Sequence, residues 1–264
     1  MGVFVQAKDV PQGAIFLDAR FNLQQPELGQ QQYDEAHIAS ARYVHLERDV
    51  SDMASDRGRH PMPSHEQLHA LYERLGLQLT DTIVIYDQGG APFAARVYYM
   101  LAYGGFTNVS IVNGGMKALV EAGFAVNGDV VTVTKTSVTP NWQSHIYASR
   151  EDVEEIVARK TNAVLLDARE AARYRGEVEP LDKVAGHIPT ARNYFWEQAK
   201  DGSHLIINDE LLQTVRKDED VVVYCGSGVT ASPVYALLKE AGYPNVKVYV
   251  GSFSDWIEKY DAAK

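Results

Sequence analysis

The chain reads as an α/β protein made of two copies of one unit, each a parallel sheet flanked by helices on both faces. Two observations predict this. Short apolar strands alternate with amphipathic helical stretches, the pattern of parallel strands joined by helical crossovers. The two halves also repeat each other. Ile15-Phe16-Leu17-Asp18-Ala19-Arg20 matches Val164-Leu165-Leu166-Asp167-Ala168-Arg169, and Ala36-His37-Ile38 matches Gly186-His187-Ile188. Ile83-Val84-Ile85-Tyr86-Asp87 matches Val221-Val222-Val223-Tyr224-Cys225. The offset is roughly 140 to 150 residues, far beyond the period of a solenoid repeat. A length of 264 residues, 45% of them hydrophobic, suits two such cores.

The elements follow in order. Ser64 with Gln67 forms a capping-box signature for a helix through Leu68, Leu71 and Leu75, ending at Gly76. Pro92 suits the start of a helix from Phe93 to Tyr103. The Thr-rich stretch Val130 to Pro140 is β-prone and reads as an extended linker. Ser149 with Asp152 opens a helix through Val153, Ile156 and Val157. Val221 to Tyr224 is an apolar, mainly β-branched run and reads as a buried strand. Helical spacing resumes after Ser232 and stops at Gly242. The expected division is a first domain over 1–126, a linker over 127–145 and a second domain over 146–264.

Composition narrows the function. A formal charge of −10 and a pI of about 5.3 carry no basic footprint for nucleic acid. The apolar runs are too short to cross a bilayer. No signal peptide is visible, and Gln6 breaks a myristoylation motif after Gly2. One cysteine excludes an internal disulfide and points to the cytoplasm. His65 and His69 share a helix face at a spacing that can bind metal, but with no third partner they read as solvated. Neither metal nor cofactor is expected.

That cysteine, Cys225, leaves the Val221–Tyr224 strand into a loop with two glycines, and a helix follows. Gly226 and Gly228 let backbone N–H groups turn towards one point, and a helix N-terminus adds positive potential there. A thiol in such a cradle is expected to ionise readily, and the thiolate is the reactive form.

Cys225-Gly226-Ser227-Gly228-Val229-Thr230 resembles the active-site loop of the rhodanese superfamily, specifically its tandem-domain 3-mercaptopyruvate/thiosulfate sulfurtransferases. The resemblance covers nearly the whole chain. It implies two tandem rhodanese-like domains and a persulfide on Cys225. The sulfur would come from 3-mercaptopyruvate or thiosulfate and pass to a thiol, such as thioredoxin, or to cyanide. Gly226, Gly228, Val229 and Thr230 would form the cradle, with Thr230 capping the following helix. Ser227, His60 in the stretch His60-Pro61-Met62-Pro63, and Glu47 would form a proton relay for the leaving group. Ala172-Arg173-Tyr174-Arg175-Gly176 resembles the stretch whose first arginine binds the donor, which maps to Arg173. A second arginine expected several residues later is missing, and Lys183 is the local substitute. Asp87 holds the cysteine position in the first copy, so that domain is expected to be catalytically silent. His37 and His187 are expected to anchor turns, Asp18 and Asp167 to bond loop backbone, and Phe21 to pack in the core.

Two other readings stay open. A non-catalytic rhodanese-like binding module would keep the fold without the chemistry. A cysteine phosphatase would need an arginine six positions after its cysteine, where this chain has Ala231.

Overall fold

The computed structural model describes residues 2–263. The chain divides into two compact units. The first comprises Met1–Asp52, Pro63–Gln143 and Asp201–Leu205; the second comprises Met53–Met62, Ser144–Lys200 and Ile206–Lys264. Each unit therefore includes a short segment drawn from the other half of the sequence.

In the first unit, strands β1 (Phe4–Gln6), β2 (Ile15–Asp18), β3 (Arg42–Tyr43), β4 (Ile83–Tyr86) and β5 (Val109–Asn113) form a parallel sheet in the order β1-β5-β4-β2-β3. In the second, β6 (Tyr147–Ala148), β7 (Val164–Asp167), β8 (Arg192–Asn193), β9 (Val221–Tyr224) and β10 (Val246–Tyr249) repeat it as β6-β10-β9-β7-β8. The duplication read from the sequence is thus a duplication of topology.

Both β4 and β9 are buried at every residue. Alternate side chains of a strand point to opposite faces, so both faces of these sheets are covered. On one face of β9, Val222 and Tyr224 join Val153 and Ile156 of the helix Arg150–Val157 and Trp256 of the helix Ser252–Trp256. The helix Ala231–Glu240 also packs on β9 and β10, burying Val234, Leu237 and Leu238. Ser64–Gln67 and Ser149–Asp152 both close reciprocal capping boxes. The helix Phe93–Tyr103 starts directly after Pro92.

The turns repeat as well. Asp18 accepts the Arg20 amide at 3.0 Å, and Asp167 accepts the Arg169 amide at 2.9 Å. Each aspartate also holds its arginine's guanidinium, which donates to the carbonyl of Ala36 or Gly186 at 2.7 Å. His37 and His187 stack on Tyr33 and Tyr174 and bond those residues' carbonyls. Phe21 is buried against Phe93 and His45. His65 stacks on Trp142, and His69 bonds the Val138 carbonyl. Residues 128–143 form no helix or strand and are tied to the first unit, where Thr136 bonds the carbonyls of Glu73 and Leu77.

Candidate functional site

Cys225 follows β9, a central strand between β7 and β10, at its carboxyl end. Ligands of open parallel sheets bind at that end. The loop after β10 supports it from below. Cys225 donates its amide to Ser252 Oγ at 3.1 Å, and the Cys225 and Gly226 carbonyls accept the amides of Phe253 and Ser254 at 3.0 and 2.9 Å. The Gly228 amide donates to Cys225 Sγ at 3.1 Å. Gly228 has φ +77°, and a Cβ there would collide with the Val250 carbonyl oxygen, so only glycine turns that amide onto the sulfur. Gly226, Ser227 and Val229 are buried beside it, and Thr230 is half-buried.

Thr230 does not cap the helix Ala231–Glu240. Its backbone is already helical, at φ −78° and ψ −4°, and its side chain makes no cap bond. A capping side chain needs the extended backbone of a true cap residue. Ser232 bonds back into the loop instead, donating to the Gly228 carbonyl at 3.1 Å.

The segment Met53–Met62 belongs to this unit although it comes from the first half of the sequence. Gly58, at φ +103°, lies against Gly251 and Ser254, and the Arg59 amide donates to Ser254 Oγ at 3.1 Å. Arg57 pairs with Asp255 at 3.4 Å. This docking delivers two side chains to the cysteine loop. His60 Nδ1 lies 2.9 Å from Ser227 Oγ. The Arg59 guanidinium spans the other side: Nη1 pairs with Asp182, while Nη2 lies 2.6 Å from where a Gly226 Cβ would stand. Burial pushes the Arg59 pKa down, the Cys225 sulfur pulls it up and Arg173 pushes it down.

Arg173 joins from the helix Ala171–Tyr174. Its Nη2 and Nη1 lie 3.5 and 3.7 Å from the same Gly226 point. Its outer edge is held by Glu179, at 3.1 Å from Nε and 2.6 Å from Nη2, and by Asp182 at 3.2 Å. Two guanidiniums thus converge on the loop, each gripped from behind by carboxylates. Sequence reasoning located Arg173 but missed Arg59. Lys183 pairs with Glu258 at 2.8 Å, so Arg59 brings the second guanidinium to this loop instead. The signal for Arg59 was Gly58, a turn glycine that sets the following residue against the second unit.

Cys225, Ser227, His60, Arg173, Gly226 and Gly228 are therefore brought together in the second unit. Glu47 stands in the first unit, half-buried on the helix Leu46–Asp49, its amide donating to His45 Nδ1 at 3.2 Å. Asp87, at the matching place in the first unit, accepts the amides of Gly89 at 2.8 Å and Ala94 at 3.0 Å. Among the described residues, no group of three or more His, Cys, Asp or Glu could hold a metal ion.

Chemically, the arrangement offers a buried thiol with an amide on its sulfur, a histidine–serine pair for moving a proton, and two guanidiniums that can take a small anion. Planar guanidiniums favour carboxylate and other oxyanions through paired hydrogen bonds.

The profile of the rhodanese-like domain matches residues 5–122 and again 149–259. A Pseudomonas aeruginosa protein named "Probable 3-mercaptopyruvate sulfurtransferase" is 36% identical over 258 residues, covering 92% of this chain and 89% of the relative. The 3-mercaptopyruvate sulfurtransferase of Escherichia coli K12 is 31% identical over 238 residues, covering 88% of this chain and 84% of its own. The crystal structure of SseA from Escherichia coli, described as a 3-mercaptopyruvate sulfotransferase, superposes with a TM-score of 0.81 at 28% identity, covering 96% of this chain and all of that one. With both halves matched and the sheet order repeated in each, the chain belongs to the rhodanese family as a protein of two tandem rhodanese-like domains.

Proposed function

We propose that Cys225 carries a sulfur atom from a small anionic donor to a thiol acceptor, the donor being held by Arg59 and Arg173. The chain is a rhodanese-type sulfurtransferase. One observation supports the site assignment above the rest: the Gly228 amide lies on Sγ while two guanidiniums converge on the adjacent Gly226.

With 3-mercaptopyruvate, the Cys225 thiolate attacks the donor's thiol sulfur. A sulfur–sulfur bond forms, the donor's carbon–sulfur bond breaks, and its electron pair leaves as the enolate of pyruvate. Ser227, bonded to His60, supplies the proton that turns the enolate into pyruvate. With thiosulfate the leaving group is sulfite, which needs no carbon protonation. The persulfide's outer sulfur is cradled by the amides of Gly226 to Thr230. A thiol such as that of thioredoxin, or cyanide, then removes that sulfur and restores the Cys225 thiol, giving double-displacement kinetics. Glu47 is assigned the acid's part in the proton relay from the sequence resemblance. The first domain, over 1–126, with Asp87 in place of a cysteine, forms no persulfide; the linker is 127–145 and the catalytic domain 146–264.

No helix among the described residues is long and apolar enough to cross a membrane. A cytoplasmic setting suits an enzyme whose lone cysteine must stay reduced between turnovers.

The test is intact mass after incubation with each donor. Wild type should gain one sulfur atom, lost on adding thiol, and Cys225→Ser should gain none and show no turnover. A wild type that never gains sulfur favours a binding module over an enzyme.

A further inference from the structure

Three arginines and three carboxylates form one connected network that reaches the cysteine loop through Arg59 and Arg173. Arg169 pairs with Asp167 at 2.7 Å and Glu179 at 3.3 Å, and Arg173 pairs with Glu179 at 2.6 Å. Asp182 bridges the remaining pair: one carboxylate oxygen takes Arg59 Nη1 and the other takes Arg173 Nη2 at 3.2 Å. The Glu179 and Asp182 side chains are both only 3% exposed, so water screens these pairs weakly. Glu179 accepts the amides of Leu181 and Asp182, which fixes the turn that aims Asp182 at the arginines. The neighbouring cations are also spent, Lys183 on Glu258 and Arg57 on Asp255. The guanidiniums therefore offer directed N–H donors at Gly226 without surplus positive charge.

We propose that Asp182 sets the charge preference of the donor site: by bridging Arg59 and Arg173 it makes the site select monoanionic sulfur donors over dianionic ones. The inference rests on the sulfurtransferase reading above. A monoanion gains the converging hydrogen bonds and brings one charge. The second charge of a dianion meets the two buried carboxylates with no cation of its own, and at a few ångströms in a partly buried site that repulsion is large. Asp182 acts through the two arginines and is a positioning and specificity residue.

The experiment compares kcat/KM for thiosulfate, a dianion, with that for 3-mercaptopyruvate at fixed ionic strength. Asp182→Asn keeps the shape and removes the charge. The thiosulfate to 3-mercaptopyruvate ratio should rise about tenfold or more, chiefly through the KM for thiosulfate, and Asp182→Glu should bring it back towards wild type. An unchanged ratio, or an equal loss for both donors, in a variant that still forms the Cys225 persulfide overturns the inference and leaves the enzyme reading intact. A wild type that forms no persulfide overturns both. Should Asp182→Asn not fold, wild type alone decides. Methanesulfonate, a monoanion shaped like sulfate, should inhibit at least as strongly as sulfate, and stronger inhibition by sulfate overturns the proposal.

Discussion

His60 Nδ1 and Ser227 Oγ lie 2.9 Å apart although 167 residues separate them. The pair exists because Met53–Met62 folds into the second unit, and it places an imidazole, a group that can both accept and donate a proton, next to the residue two beyond the thiol. A proton is needed when the leaving group is an enolate and is not needed when it is sulfite. Ser227→Ala and His60→Ala should each lower kcat with 3-mercaptopyruvate about a hundredfold. With thiosulfate the loss should be only a few-fold. Because the two residues act as one unit, the double variant should be little worse than either single one. Losses that multiply, or that are equal for the two donors, would refute the relay.

Arg59 and Arg173 should behave as a pair and Lys183 as a bystander. Arg59→Ala and Arg173→Ala should each raise donor KM by about ten- to a hundredfold, the range for a charge-assisted hydrogen bond. Lys183→Ala, which loses only an exposed contact to Glu258, should leave KM within twofold (about the error of an exposed ion pair). The donor KM of the three variants, measured side by side, decides. Equal effects at Arg59 and Lys183 would return the second cation to the loop where sequence reasoning looked for it.

The two loop glycines should fail in different ways. At Gly226 a methyl group would meet the end of the Arg59 side chain, 2.6 Å away, and that end can swing aside. Gly226→Ala should therefore cost little stability and raise donor KM about tenfold through the displaced guanidinium. At Gly228 the backbone itself is left-handed and a methyl group strikes the Val250 carbonyl. Gly228→Ala should cost about 1–3 kcal/mol of stability and also pull the amide off the sulfur. Urea unfolding together with kinetics separates the two cases.

The periodic and local parts of this molecule could be read directly. Burial on both sides of Val221–Tyr224, the two capping boxes and the paired Asp-Ala-Arg turns each follow from residues close in sequence. Cys225, Ser227, His60 and Arg173, which the structure brings together, were singled out because their short motifs have recognisable chemistry. Arg59 and Asp182 were not, since each stands in a polar loop of ordinary composition. Their meaning arises only when Gly58 packs on Gly251 and the Glu179 turn brings Asp182 between the two arginines. Thr230 shows the converse: the residue type suits a cap, but the backbone there has already turned helical.

Ser252 was also missed, and the internal repeat held the clue. Its φ is +57°, and its counterpart in the first copy is Gly115, at φ +63°. A serine kept in a conformation that suits glycine costs roughly 1 kcal/mol. The hydroxyl offsets that cost by accepting the Cys225 amide at 3.1 Å and donating to the Tyr249 carbonyl at 2.8 Å. Ser252→Ala keeps the strain and loses both bonds, whereas Ser252→Gly loses the bonds and relieves the strain. Both should lower kcat about tenfold by loosening the nucleophile, with Ser252→Ala about 1 kcal/mol less stable than Ser252→Gly. Equal stabilities would show that the left-handed backbone costs nothing here.

Asp87 gives the first unit its own pH dependence. Burial pushes its pKa up to about 6, against the pull of the Ala94 and Gly89 amides, with Asp18 adding to the rise. A raised carboxyl pKa means that the folded state holds the proton more tightly than the unfolded chain does. The associated stability is fully present below about pH 4 and is lost as pH rises through about 6, to a total of about 3 kcal/mol. At neutral pH the carboxyl is mostly ionised, because the amides of Gly89 and Ala94 favour that form while burial opposes it. Carbon-13 titration of the Asp87 carboxyl should show a midpoint near 6. The stability of wild type relative to Asp87→Asn, which carries no titrating group there, should decline across the same interval. A midpoint near the ordinary aspartate value, with parallel stability curves, would mean that the amides outweigh burial at this site.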